Sequence, residues 1–181
     1  MSHPTHLLEQ TRRWISDVVI GLNLCPFARR PFDAGTIRYV VSDATFEADL
    51  LAALDAELSL VVSSPRTDLE TTLLILSQAL PDFLDFNDFI GVAEQHLAGR
   101  GLTGVIQIAH FHPRYQFAGT EPDAVENYTN RSPYPMLHLL REVSVTEASQ
   151  NPEFVAGIPD RNIALLRRLG LAAIISKLSP P

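Results

Sequence analysis

The sequence predicts an α/β fold, a small three- to four-stranded and mostly parallel sheet with flanking helices; an α+β arrangement is the alternative. Two observations carry this. Short β-rich runs at residues 36–41 (TIRYVV), 71–76 (TTLLIL) and 105–111 alternate with helical patterns at 46–61 and 81–99. The middle run, TTLLIL, is apolar on both faces, as a central strand covered by helices on both sides must be. Strands separated by helices of this length predict a βαβαβ unit with right-handed crossovers.

The elements follow in chain order. Residues 5–24 predict an amphipathic helix, with Leu7, Leu8, Thr11, Trp14, Ile15, Val18, Val19 and Leu22 at three- and four-residue spacings and Glu9, Arg12, Arg13 and Asp17 opposite. Pro26 stops it, because the residue before a proline avoids the helical region. Cys25 then lies at the helix's C-terminal end. RRPFDAG, residues 29–35, reads as a turn-rich connector. Leu50, Leu51, Leu54, Leu58 and Val61 form the stripe of the second helix, and SSPRTD is a loop. The third helix is entered through acidic residues that suit its N-terminal dipole. Phe83, Phe86 and Phe89 recur every third residue and belong to the core. Residues 114–126 read as an irregular loop with an edge strand at 115–117. Ser132 is expected to cap a helix begun by Pro133 and Pro135 and running to residue 149. A last helix covers 161–178, broken at Gly170, and the SPP tail is expected to be disordered.

At 181 residues and 20.0 kDa the chain is expected to form one domain, residues 1–181, large enough to fold without a metal or disulfide. A net charge of -7 argues against a nucleic-acid surface, which needs clustered Lys and Arg. Lys177 is the one lysine, so the cations are nearly all Arg, the better residue for bidentate recognition of carboxylate or phosphate. A single cysteine, Cys25, forbids an internal disulfide and fits a reducing cytoplasm. The N-terminus lacks the basic-then-apolar pattern of a secretory signal, and no apolar run is long enough for a membrane span.

Chemistry concentrates between Val105 and Glu142. His110 and His112 share a face at the carboxyl end of the third strand, where ligands bind in α/β sheets. His138 and Glu142, four apart on the expected helix, would share a face. His112, His138 and Glu142 could therefore hold a divalent metal such as zinc. Alternatively, His110 packs the strand end and Glu142 pairs with an Arg. Arg131, beside the expected helix N-terminus and Ser132, would make an anion pocket, with Asn127, Asn130 and Tyr115 orienting a substrate. Asparagines also stabilise turns, and Tyr115 can simply pack an edge. Cys25 is a candidate nucleophile if a histidine or arginine offsets the unfavourable dipole of its position, and otherwise a small buried hydrophobe. No P-loop, dinucleotide-binding glycine pattern or serine-hydrolase elbow is present.

GLNLCPFA (residues 21–28), LETTLLIL (69–76), DFLDFNDF (82–89), FHPRYQFAG (111–119) and NYTNRSPYPMLHLLRE (127–142) together resemble a bacterial family, also seen in plant plastids, labelled domain of unknown function 1415. The resemblance implies no activity. It marks Cys25, His112, Tyr115, Asn127, Asn130, Arg131, His138 and Glu142 as motif positions, and implies that the position of His110 often holds another small polar residue.

Three functional readings follow. In the first, an enzyme acts on a small polar or anionic metabolite. His112 or His138 is its acid or base, Cys25 a nucleophile, and Arg131, Asn127, Asn130 and Tyr115 bind substrate. In the second, a non-catalytic ligand-binding or assembly module uses the same cluster and its histidines are structural. In the third, the metal makes the chain a hydrolase. An open pocket joining Cys25 or a metal to the histidines would favour catalysis; a closed network, with each ring nitrogen paired, would favour the module. The oligomeric state is left open.

Overall fold

The computed structural model describes residues 3–149 and 152–178. The expected disorder of the SPP tail lies outside the described residues. The strands are β1 (Ile37–Ser42), β2 (Thr71–Leu76), β3 (Ile106–Phe111) and β4 (Met136–Arg141). The helices are α1 (His3–Trp14), α2 (Arg29–Asp33), α3 (Glu47–Ser63), α4 (Phe83–Gly99), α5 (Glu142–Ala148), α6 (Pro152–Ala156), α7 (Ile158–Leu169) and α8 (Leu171–Leu178). Among the described residues no helix is long and apolar enough to cross a membrane.

The strands form one sheet in the order β1-β2-β4-β3. β1 and β2 pair in parallel, while β4 pairs antiparallel with both β2 and β3. β1, β2 and β3 therefore point the same way, as a βαβαβ path requires. β4 is inserted backwards between the last two. That one insertion replaces a parallel pairing with two antiparallel ones, so the α/β class holds but the sheet is mostly antiparallel, not mostly parallel.

β4 also corrects the helix expected over residues 132–149. MLHLLR contains strong helix formers and no β-branched residue, so local propensity points away from a strand. Tertiary position overrides it. Met136, Leu137 and Leu139 have no exposed surface, and the strand is hydrogen-bonded along both edges. With both faces covered, the alternation that would betray a strand is lost. Pro133 and Pro135 set an extended approach instead of a helical start, and only α5 remains helical.

Helices cover both faces. Leu54 and Leu58 of α3 and Phe86 and Ala93 of α4 pack on Leu74, Leu137 and Leu139. On the opposite face, Trp14, Val18, Leu166 and Ile174 pack on Leu73, Ile75 and Met136. Gly170, at φ 79°, separates α7 from α8 where the sequence places the break. Two smaller differences are local. Residues 29–33 are helical within the expected connector, and residues 115–117 form no strand.

Candidate functional site

The first helix does not stop at a simple cap. After Trp14 it widens into a π-helical turn over Ile15–Ile20, a form that recurs at functional sites. Gly21 closes this turn. A Cβ there would collide with the Asp17 carbonyl oxygen, so only glycine fits. Asn23 then takes a left-handed conformation (φ 54°), and the chain turns through Leu24 to Cys25. α7 clamps this turn. Arg161 Nη2 donates to the Asn23 carbonyl at 2.6 Å, and the buried Asn162 Nδ2 donates to the Leu24 carbonyl at 2.7 Å. Burial pushes the Cys25 thiol up, while the backbone N–H groups of Phe27 and Ala28 and the charge of Arg161 pull it down. Gly21→Ala should displace this segment and change the rate at which a maleimide labels Cys25 by several-fold; an unchanged rate would mean that the turn is not under this constraint.

The connection from residue 112 to residue 135 has little regular structure, and its side chains hold it in place. His112 has no exposed surface. Its Nδ1 accepts from the Arg114 N–H at 2.9 Å, and its Nε2 lies 3.1 Å from the Leu80 carbonyl. That pairing fixes a neutral ring protonated at Nε2, and burial lowers its pKa. Asn127, also without exposed surface, uses both ends of its amide. Oδ1 accepts from the Phe117 N–H (3.0 Å) and the Thr120 hydroxyl (2.8 Å), and Nδ2 donates to the carbonyls of Glu121 (2.8 Å) and Pro122 (3.2 Å).

Arg131 donates to the carbonyls of Tyr115 (3.3 Å) and Pro122 (2.5 Å) and lies 4.0 Å over the Tyr128 ring. No helix follows it. The Ser132 hydroxyl donates to the Tyr134 carbonyl at 2.6 Å, so the helix-terminal anion pocket expected around Arg131 and Ser132 is not formed. Tyr115 is buried, with its ring stacked on His110.

His138 and Glu142 are not on one helix: His138 lies within β4 and Glu142 begins α5. His138 pairs across the sheet with Leu73 and approaches Phe111, on the α1 and α8 face. His112 packs against Phe83 and Phe86 of α4, on the other face. The metal set His112, His138 and Glu142 therefore does not fit, because the sheet separates its imidazoles. Among the described residues no three His, Cys, Asp or Glu side chains group as metal ligands would.

Two of the expected site residues do meet. Cys25 and Asn130 line one cleft of about 640 Å³. It opens beside Phe111, the carboxyl end of β3, between the turn that carries Cys25, the 117–130 loop and α7. Val19, Leu24, Phe117, Ile158 and Ile163 make its walls apolar. Glu126, Thr129 and Asn162 also line it, and none of these was selected from the sequence. Asn162 did leave a signal. It lies four residues before Leu166 on the stripe that α7 buries, where an amide is out of place unless it binds something. His112, Asn127, Arg131, Tyr115 and His138 do not line this cleft.

The fold and the cleft define a three-layer α/β/α protein with a ligand-sized opening at the carboxyl end of a sheet strand. The chain belongs to the family described as protein of unknown function (DUF1415), whose model matches residues 6–175. No curated protein and no solved structure is significantly similar to it.

Proposed function

We propose that the protein is a small-molecule-binding module whose ligand occupies the cleft between the Cys25 turn, the 117–130 loop and α7. One observation carries this reading. The cleft gathers Cys25 and Asn130, whereas His112, Asn127 and Arg131 direct their polar atoms into hydrogen bonds within the fold. A closed network of this kind supports a structural role for those side chains and leaves recognition to the cleft. Its volume is that of a site for a drug-sized metabolite.

The test uses Nile red, an uncharged apolar dye. Saturable one-to-one binding is expected. It should be lost when Ile163→Trp fills the cleft, and lost again when N-ethylmaleimide occupies Cys25 in the unmutated chain. Dye binding that survives both plugs would overturn the reading.

A second reading, an enzyme with Cys25 as nucleophile, draws on the two backbone N–H groups and the Arg161 charge beside the thiol. It requires an iodoacetamide labelling profile whose midpoint lies below that of a free thiol. Burial, the largest influence on Cys25, acts in the opposite direction.

A further inference from the structure

Resting on the cleft as the binding site, we infer that its ligand is an uncharged molecule: an apolar body ending in a hydroxyl or primary amide. The apolar walls select the body. The head group follows from two polar groups with hydrogen-bonding capacity to spare. Asn130 uses its Oδ1 to accept from the Thr129 hydroxyl at 3.1 Å, and no described residue accepts from its Nδ2. Glu126 is ion-paired with Arg167 at 3.7 Å, a separation beyond hydrogen-bond distance that leaves its carboxylate oxygens able to accept. The cleft thus offers an amide donor and a carboxylate acceptor.

The remaining polar lining is already engaged. The Thr129 hydroxyl spends its one proton on Asn130 Oδ1 and the Thr120 hydroxyl spends its own on Asn127 Oδ1, while the Asn162 amide is shared between Leu24 and Arg161. A head that accepts from Asn130 and donates to Glu126 uses the remaining capacity of both. A carboxylate would accept from Asn130 but face the Glu126 charge in apolar surroundings, where like-charge repulsion is weakly screened. A pure hydrocarbon would bury the Asn130 N–H groups without a partner. This replaces the anionic metabolite anticipated from Arg131, whose guanidinium is held by the loop.

Phenylbutanol, phenylbutanamide and phenylbutanoate share one body and differ in the head. Competition with Nile red on the full chain should rank the alcohol and the amide at least about tenfold tighter than the carboxylate. Glu126→Gln should bring the carboxylate to within about threefold of the alcohol, and Asn130→Leu should weaken the alcohol and amide together. If the carboxylate competes as well as the alcohol and Glu126→Gln changes nothing, the head-group inference is overturned while the dye still reports the cleft. If Ile163→Trp leaves dye binding intact, the cleft itself is wrong.

Discussion

Asn127→Asp is expected to destabilise the protein by about 3 kcal/mol or more and to loosen one wall of the cleft. The substitution keeps the size and shape of the side chain and changes only its chemistry. Oδ1 can still accept from the Phe117 N–H and the Thr120 hydroxyl. The second oxygen, however, replaces an amide that donates to the Glu121 and Pro122 carbonyls. Two carbonyl oxygens would then face a carboxylate with no exposed surface, and either the charge or a proton must be accommodated there. Asn127→Ala removes the partner without adding charge and should cost less, about 2 kcal/mol. Urea denaturation of the three chains gives the ranking. The functional consequence is separate. Phe117 and Thr120 line the cleft, and Asn127 holds the backbone N–H of the first and the hydroxyl of the second. Nile red affinity should fall in the aspartate variant even in conditions where it remains folded. An aspartate variant within about 1 kcal/mol of the parent would remove Asn127 as the organiser of this loop.

The loop also explains what was legible in the sequence. β1, β2, β3, α3 and α4 are all visible, because each has its own hydrophobic period and its own turn residues at the ends. β4 is not. A strand buried on both faces shows no alternation, and MLHLLR reads as well on a helix as on a strand. Its burial between β2 and β3 is a property of the whole sheet that no local window contains. The same ambiguity reaches the site. A helical reading placed His138 and Glu142 on one face and gave Arg131 a helix terminus to work with; a strand removes both.

The polar richness of residues 112–142 departs from ordinary core, but its cause is ambiguous in sequence. A long connection without regular structure still has to pair its buried backbone groups. Asn127, Arg131 and His112 do that with side chains, and the same residue types would serve a ligand. Cys25 lines the cleft without His112 or His138, and its neighbours there come from α7 and the 3-10 turn at Val125–Thr129, segments with no chemical motif of their own.

The second large effect is a loss of stability on acidification, centred on His138. The Thr71 hydroxyl gives its only proton to the Leu139 carbonyl at 2.6 Å, so the His138 Nε2 at 2.8 Å must donate to that hydroxyl. The ring is therefore neutral. It keeps a small accessible area, but the protein packed around it lowers its pKa from 6.5 to about 4. A histidine with a depressed native pKa binds its proton first in the unfolded chain, so unfolding takes up a proton between these two values. The stabilisation is complete above pH 6.5 and is lost as the pH falls to about 4, a total of about 3 kcal/mol. His110 and His112 are lowered in the same direction by burial and steepen the decline. The carboxylates held low by partners, Asp82 and Glu147 among them, act only as pH approaches their own ordinary values, 3.8 and 4.5, and so fall at the acid end of the window. Denaturation curves at pH 7, 6.5, 6 and 5.5 isolate the histidines, and pH 5 extends the series to the edge of the carboxylate range. His138→Gln retains a donor for Thr71 and has nothing to titrate, so its stability should fall less steeply between pH 6 and pH 5, by up to about 1.4 kcal/mol per pH unit. Parallel slopes for the two chains would mean that the ring is protonated in the fold, and the neutral hydrogen bond assigned to it would have to be withdrawn.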